Sequence, residues 1–438
     1  MKIIQADMRY TISDLYYLWK TPVGRIQFFH GIFQRSWPVL WMIAFLYRRL
    51  FLRKVKIIVV IGSYGKTTTL RAIKTVLRRP LSRFYQGNCW SYVAAAVLRI
   101  RPGEKYEAIE IGIDGKGQMS KYAGLVKPQL VVVTSIGSEH HRSLGNLEQT
   151  RAEKSQMIRQ LSSRATVFLN GDDSNVRWMR QHTRAQVVTF GFHPHNDVRA
   201  VAVYAASVKG MQFRCLLDEL DVPVKSRLLG RHMVYPNLSA LAVAHVLGIP
   251  HQSAIKRLGT LDPTPGRMEM VELKNNIVLI RDEFKSSLET ILRAFKVLKK
   301  MGGERKIVVM GEVSEPPGSQ GPIYRDIGSK MAAIFHQIVI VGVNYQRYAA
   351  GATAAGLARE QIFDAGTSIM GAILFLKNHL QNGDVVFMKG RNTQRLERIS
   401  LSLMGRDVKC DIKSCDARPH RCDTCPMLET GWKSKVVI

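Results

Sequence analysis

Acidic residues are scarce in this sequence. Asp and Glu together number 34, against 64 Lys and Arg, which gives a formal net charge of +30 at pH 7. This excess favours contact with anions such as nucleotide phosphates, nucleic acid or acidic lipid headgroups, without choosing among them. The length of 438 residues predicts two or three domains, and a hydrophobic content of 46% excludes wholesale disorder.

Cysteines and long apolar runs are also few. Only six cysteines occur, and four of them crowd the C-terminus, which excludes a disulfide framework spread through the chain. The N-terminus lacks a signal-peptide pattern, so we expect a reducing, cytoplasmic location. In the aromatic and basic segment 26–54, Arg35 interrupts the apolar stretch, and the uncharged run 36–47 that follows is too short to span a bilayer, which needs about 20 apolar residues. It is either a helix lying on the inner face of an anionic membrane or a helix packed on the next domain with its basic edge in solvent.

Short β-rich runs alternate with helical lengths from Val55 onward, which predicts an α/β fold with a mostly parallel sheet. We expect strands at 55–61, 106–111, 130–135 and 166–170, and antiparallel hairpins at about 197–217. After a linker at 261–267, a second series of strands at 276–280, 306–311, 337–343 and 384–389 predicts a smaller Rossmann-like domain. The predicted divisions are a helical N-terminal segment 1–54, a central domain 55–260, a C-terminal domain 261–405 and a tail 406–438.

The strongest local motif is the run Gly62-Ser63-Tyr64-Gly65-Lys66-Thr67-Thr68, between a predicted strand and a predicted helix. The backbone amides of such a loop hold phosphate oxygens, the lysine neutralises the terminal phosphates, and the hydroxyl binds magnesium. A general phosphate loop would have glycine at the position of Val60, so this is a shorter variant. The motif predicts ATP and Mg²⁺ as cofactors.

This shorter variant resembles the Mur ligases, particularly the ligase that adds D-alanyl-D-alanine. Further blocks resemble the same family in its own order, over about residues 55–405. They are found at 87–100, 109–146, 151–158, 168–176, 230–249, 263–271, 280–284, 308–313 and 385–397.

The resemblance implies roles for residues of the central domain. Gly62, Gly65 and Thr68 would hold ATP phosphates with Lys66, while Thr67, Glu110 and His140 would bind Mg²⁺. Oxygen ligands suit this hard cation, whereas a histidine is less usual, and His141 competes with His140. Lys154 matches the family lysine that carbon dioxide carbamoylates, which would support the metal site; by sequence alone it is a solvated helix lysine.

The resemblance also implies contacts to the nucleoside. Asn237 matches a residue near the adenine, and His232 matches the histidine that opens the same block. Arg267 and Asp282 match residues that the C-terminal domain brings to the nucleotide, with Asp282 accepting bonds from ribose hydroxyls. For each of these four, a structural role is an equal alternative.

Two regions depart from the family. The 54 residues before Val55 do not fit the domain that binds uridine diphosphate, so a standard nucleotide-sugar precursor is doubtful as substrate. On the acceptor side, Arg281, Lys285, Ser287 and Leu288 replace an acid, two asparagines and a proline. The substrate side is therefore expected to be altered.

The tail carries a second candidate metal site. Cys410, Cys415, Cys422 and Cys425 are spaced as thiolate ligands of a structural zinc can be, with an iron–sulfur cluster or free thiols as alternatives.

Together these features predict an ATP-dependent ligase that activates a carboxylate as an acyl phosphate and joins it to an amine. The carboxylate would be a small-molecule or lipid-linked cell-envelope precursor. One alternative is the ligase subunit of an amidotransferase with a glutaminase partner. Another is a basic nucleotide-binding protein acting on nucleic acid.

Overall fold

A computed structural model describes residues 16, 19–81, 87–137, 141–207, 210–316, 318–415, 417 and 421–431. His140 lies outside these residues, and of His141 only the backbone is described. Within the described ranges the strands form two sheets, one of eight strands and one of six.

The first sheet is parallel over six strands and ends in an antiparallel meander. Its order is β2-β1-β3-β4-β5-β6-β7-β8, and the pairs β6–β7 and β7–β8 are the antiparallel ones. The predicted strands and hairpins are confirmed, whereas β5 was not predicted. The strands are β1 (Lys56–Ile61), β2 (Tyr106–Glu110), β3 (Leu130–Val133), β4 (Thr166–Asn170), β5 (Gln186–Gly191), β6 (Val198–Ser207), β7 (Gly210–Leu217) and β8 (Leu220–Ser226).

The second sheet has the order β13-β12-β11-β14-β10-β9, with only β9 antiparallel to its neighbour. The four predicted strands are confirmed, and β9 and β13 are additions at the two edges. The strands are β9 (Glu269–Glu272), β10 (Val278–Asp282), β11 (Lys306–Met310), β12 (Gln337–Ile340), β13 (Ile362–Asp364) and β14 (Val385–Lys389).

Helices cover both sheets, as parallel strands require. Those before the second sheet are α1 (Pro22–Arg35), α2 (Trp37–Leu50), α3 (Lys66–Val76), α4 (Ser91–Leu98), α5 (Gln118–Val126), α6 (His141–Leu144), α7 (Leu147–Arg159), α8 (Ser174–Arg177), α9 (Val234–Val246) and α10 (His251–Leu258). Those after β10 are α11 (Leu288–Lys300), α12 (Gln320–Ala332), α13 (Tyr345–Ala354), α14 (Ile369–His379), α15 (Glu397–Leu403) and α16 (Met427–Thr430).

Strand β1 lies between β2 and β3 in the first sheet, and both of its faces are apolar. Ile57, Val59 and Ile61 pack into one buried cluster, while Ile58 and Val60 pack into another. A strand buried on both faces is expected to be a continuous apolar run rather than an alternating one. The loop that follows β1 therefore starts at the carboxyl end of a strand that is fixed within the sheet.

Helix α2 is fixed to the end of helix α5, which covers the first sheet, by a buried arginine. Arg48 is 4% exposed, and its guanidinium donates to Val126 O at 2.7 Å and to Lys127 O at 3.0 Å. Both carbonyls lie at the C-terminus of α5, where backbone acceptors lack partners within the helix. Among the described residues, no helix is both long and apolar enough to cross a membrane.

Candidate active site

The loop between β1 and α3 depends on two glycines. Gly62 has φ 143°, and a Cβ there would overlap Thr134 Oγ1 and lie 3.0 Å from the backbone N and O of Ser135. Gly65 precedes α3 in the left-handed conformation, with φ 83°. Because side chains are strained at such positive φ values, this backbone path favours glycine at both positions. The first turn of α3 is thus presented to a ligand, as in phosphate-binding loops.

The first residues of α3 connect the loop to the neighbouring strand. Lys66 is 9% exposed, and its Nζ donates to Gly62 O at 2.9 Å and to Ser63 O at 3.2 Å. Thr67 Oγ1 donates to Glu110 Oε2 at 2.8 Å, and Asn88 Nδ2 donates to Glu110 Oε1 at 2.7 Å. A threonine hydroxyl and a carboxylate next to a phosphate loop are hard oxygen donors that fit Mg²⁺.

Lys154 lies against the same loop and is not a solvated lysine. Its side chain is 2% exposed, and Nζ donates to Ser63 Oγ at 2.8 Å. Gly137 N donates to the same Oγ at 2.9 Å. The structure therefore brings Lys66, Thr67, Glu110 and Lys154 to one loop. Carbamoylation of Lys154 stays a prediction.

Residues that follow β10 in the second sheet reach this loop from the opposite side. Lys285 Nζ lies 3.4 Å from Ser63 O and 4.9 Å from the centre of the Tyr64 ring. Tyr64 Oη donates to Glu289 Oε2 at 3.1 Å. The sequence identified Lys285 only as a departure from the family; the structure adds a cation beside the phosphate loop.

A cavity of about 1090 Å³ opens between the two sheets at this loop. A cavity of this size suits a cofactor, and an excess of cations suits a triphosphate. Only Asp172, Asp173 and Asp282 contribute acidic side chains to the described lining. The basic lining residues, apart from one histidine, are Arg231, Arg267, Lys285, Arg293, Lys296, Lys299, Lys300 and Lys389.

Asp282 ends β10 and lines the cavity with Arg267. Its carboxylate is ion paired with Lys389 and accepts a hydrogen bond from Met268 N at 3.1 Å. Burial raises the pKa of Asp282 and lowers the pKa of Lys389, although each partner opposes the shift of the other. Because carboxylate oxygens accept more than one hydrogen bond, these contacts leave Asp282 able to accept from a ribose hydroxyl as well. The ribose contact stays a prediction. Arg267 lies over the Phe284 ring at 4.5 Å.

His232 and Asn237 differ in their access to the cavity. His232 lines it, and burial, followed by Arg293 and Lys389, lowers the imidazole pKa to about 4. Asn237 is 0% exposed and lies behind Tyr235 and Pro236, which do line the cavity. Its amide donates to Met233 O at 2.9 Å and to Ser226 Oγ at 3.2 Å. These bonds fix helix α9, and contact with adenine stays a prediction.

Sequence reasoning missed the Asp172–Tyr235 pair in the cavity wall. Tyr235 Oη donates to Asp172 Oδ2 at 3.0 Å. Burial opposes ionisation of Asp172, but hydrogen bonds from Phe192 N, His193 N, Tyr235 and Asn196 lower its pKa overall. Asp172 follows the carboxyl end of β4, the edge where ligands bind in parallel sheets, and this was the available signal.

The described residues show no metal site at the cysteines of the tail. Among the described residues, no group of three or more His, Cys, Asp or Glu side chains is placed to hold a metal ion. Cys422 packs in the apolar core of the second sheet, and Cys410 Sγ lies 3.5 Å from the Arg398 guanidinium. The zinc site at Cys410, Cys415, Cys422 and Cys425 has no support from this geometry.

The fold and the cleft define a nucleotide-binding α/β protein with a phosphate loop between two sheets. Family models agree: the Mur ligase middle domain matches residues 60–244, and the Mur ligase glutamate ligase domain matches residues 266–392. Neither match includes residues 1–59. The chain belongs to the Mur ligase family and is an ATP-dependent ligase of that type.

Individual relatives support this assignment. UDP-N-acetylmuramoyl-tripeptide–D-alanyl-D-alanine ligase of Synechocystis is 27% identical over 81% of this chain and 75% of the relative. The enzyme of the same name from Bacillus subtilis is 23% identical over 80% of this chain and 76% of the relative. MurF from Acinetobacter baumannii has a similar fold, with a TM-score of 0.74 at 22% identity over 85% and 81% of the two chains. MurF from Thermotoga maritima, solved with ADP, has a TM-score of 0.71 and 18% sequence identity, over 84% of this chain and 83% of that chain.

Proposed function

We propose that this ligase forms an amide bond between a carboxylate and an amine through an acyl phosphate made from ATP. The observation that carries the proposal is the convergence of Lys66, the Thr67–Glu110 pair and Lys154 on one phosphate loop. Preorganised charges at this loop stabilise a phosphoryl group in transfer better than water does.

The residues divide the work between the two sides of the cavity. Lys66 and the loop amides bind the terminal phosphates, with Lys285 as a second cation from the opposite side. Thr67 and Glu110 would hold Mg²⁺, which supplies neutralising charge to phosphate oxygens when bound. The second sheet covers the loop and limits the access of water, which would hydrolyse an acyl phosphate.

The proposed reaction has two steps. A carboxylate oxygen attacks the γ-phosphorus of ATP, the bond to ADP breaks, and an acyl phosphate forms. The amine attacks the acyl carbon, phosphate leaves, and the amine nitrogen loses a proton. The products are an amide, ADP and phosphate.

The carboxylate is proposed to be a cell-envelope precursor, free or lipid-linked, rather than the usual nucleotide sugar. The named relatives act on UDP-N-acetylmuramoyl-tripeptide and D-alanyl-D-alanine. Here Arg281 is buried in ion pairs with Glu269 at 3.2 Å and Glu283 at 3.0 Å, at a position where the family resemblance expects an acid. This change in strand β10, on the acceptor side, supports an altered substrate.

The test measures ADP release while candidate carboxylates and amines are varied. Turnover should require both, and Lys66→Ala should lower it more than about 1000-fold because a cation at the transferred phosphate is lost. Lys74→Ala is the matched control, since Lys74 lies on the same helix but pairs with Glu107 at 2.9 Å. A carboxylate labelled with ¹⁸O should transfer one label to phosphate. Release of AMP, or turnover driven by oligonucleotides, would contradict the proposal.

A further inference from the structure

Helix α2 exposes a continuous apolar side to solvent. Five residues form this surface, which we call the apolar stripe, and each is between 46% and 58% exposed. They recur at three- and four-residue spacing, which places them on one side of a helix. The stripe consists of Val39, Met42, Ile43, Leu46 and Leu50.

The opposite side of α2 packs on the helical layer that covers the first sheet. Ala44 and Arg48 are buried, and the Trp41 ring lies 6.0 Å from the Tyr122 ring. The bonds from Arg48 to the end of α5 hold the helix in this orientation. The stripe therefore cannot turn inward without breaking buried contacts. Helix α2 therefore packs on the next domain, as one of the two sequence interpretations expects, and its solvent side carries apolar side chains beside the basic ones.

Helix α1 extends the exposed apolar surface. Phe28, Phe29 and Ile32 are 47%, 59% and 50% exposed, and the Trp19 ring contacts the Phe28 ring at 5.4 Å. Twelve of the nineteen exposed large hydrophobic side chains in the described residues fall between Tyr16 and Phe51. Such concentration indicates a surface that another phase or molecule covers.

The charge around this surface indicates what kind of partner covers it. The sequence contains no Asp or Glu from residue 15 to residue 103. Exposed cations border the helices, namely Lys20, Arg25, Arg35, Arg53 and Lys54. A second copy of the chain would bring like charges together, and nucleic acid offers no apolar layer. An anionic bilayer offers both headgroup charge and an acyl layer.

We propose that α1 and α2 dock on the surface of an anionic phospholipid bilayer, with the apolar stripe at the acyl boundary and the bordering cations at the headgroups. This inference does not rest on the proposed ligase reaction. The same helices contact the start of α4: the Trp37 ring lies 4.9 Å from the Trp90 ring, and Ser91 Oγ donates to Gln34 O at 3.1 Å. The bilayer would thus lie on the α4 side of the molecule.

Flotation of the full chain with vesicles tests the proposal. The chain should float with vesicles of phosphatidylcholine mixed with phosphatidylglycerol, float less with phosphatidylcholine alone, and be released by salt. The double variant Met42→Glu, Leu46→Glu should lower vesicle partition at least about tenfold, because two apolar side chains are lost from the contact. The matched control is Met370→Glu, Leu374→Glu, which changes an exposed Met and Leu at the same spacing on α14 and should leave partition unchanged.

Three results would overturn the proposal. The first is absence of flotation with the anionic vesicles. The second is equal loss of partition in the control variant, which would indicate general charge rather than the stripe. The third is a dimer by light scattering that the Met42→Glu, Leu46→Glu variant dissociates, because a second copy would then cover the stripe.

Discussion

The two walls of the cavity are built in different ways. In the first wall, Lys66 and Thr67 follow strand β1 within a short motif; Lys66 donates to carbonyls of the loop itself, and Thr67 donates to Glu110 at the end of the neighbouring strand β2. In the second wall, Lys285, Arg293 and Lys389 come from separate elements and meet only in the folded chain. The first wall has the chemistry expected for nucleotide phosphates. The second covers the phosphate loop from the opposite side of the cavity.

The largest expected effect in this comparison belongs to the first wall. Glu110→Gln removes the charge of a candidate Mg²⁺ ligand while an amide can still bond to Thr67 and Asn88. We expect kcat to fall at least about 100-fold and the Mg²⁺ concentration for half-maximal activity to rise. Steady-state assays across Mg²⁺ concentrations measure both.

The control for this variant is Glu107→Gln, three residues earlier on β2. Glu107 pairs with Lys74 and Arg79 at 2.9 Å, so its loss should affect stability and leave the Mg²⁺ dependence unchanged. An unaltered Mg²⁺ dependence in Glu110→Gln would remove Glu110 from the metal site.

An intermediate effect is expected from the second wall. Lys285→Gln removes the cation next to Ser63 O, and kcat/KM for ATP should fall roughly 10- to 100-fold if this charge stabilises the transferred phosphate. Lys296→Gln is matched in chemistry and lines the same cavity, but its side chain is exposed. Exposed charges contribute little, so a change under about threefold is expected there. Equal effects would show that only the general charge of the cavity matters.

The difference between the walls also explains what could be predicted from the sequence. The phosphate loop is local: Gly62, Lys66 and Thr67 are adjacent in the chain and follow an apolar strand. The core strands were predictable for the same reason, since parallel strands buried on both faces are apolar runs. Edge strands such as β9 and β13 carry a weaker pattern, because β9 has no fully buried residue and β13 has one.

Contacts between distant segments could not be predicted in this way. Tyr64 and Glu289 are separated by 225 positions, and no pattern in either segment indicates their hydrogen bond. The same holds for the apolar stripe, because periodicity shows that α2 is amphipathic but not which side packs on the sheet. The buried bonds of Arg48 decide that orientation.

The smallest expected effect is on the pKa of His232, which lies in the first wall and depends on residues of the second. This residue follows β8, yet besides burial the causes of its low pKa are Arg293 and Lys389 of the second wall. A folded-state pKa of about 4, below the ordinary 6.5, means that the unfolded chain binds a proton first as pH falls. His232 therefore favours folding above pH 6.5, and this contribution is lost between pH 6.5 and 4. NMR titration of the imidazole should give a pKa below 5, and Arg293→Gln should raise it toward 6.5. A wild-type pKa near 6.5 would mean that His232 is neither buried nor close to Arg293 and Lys389 in solution.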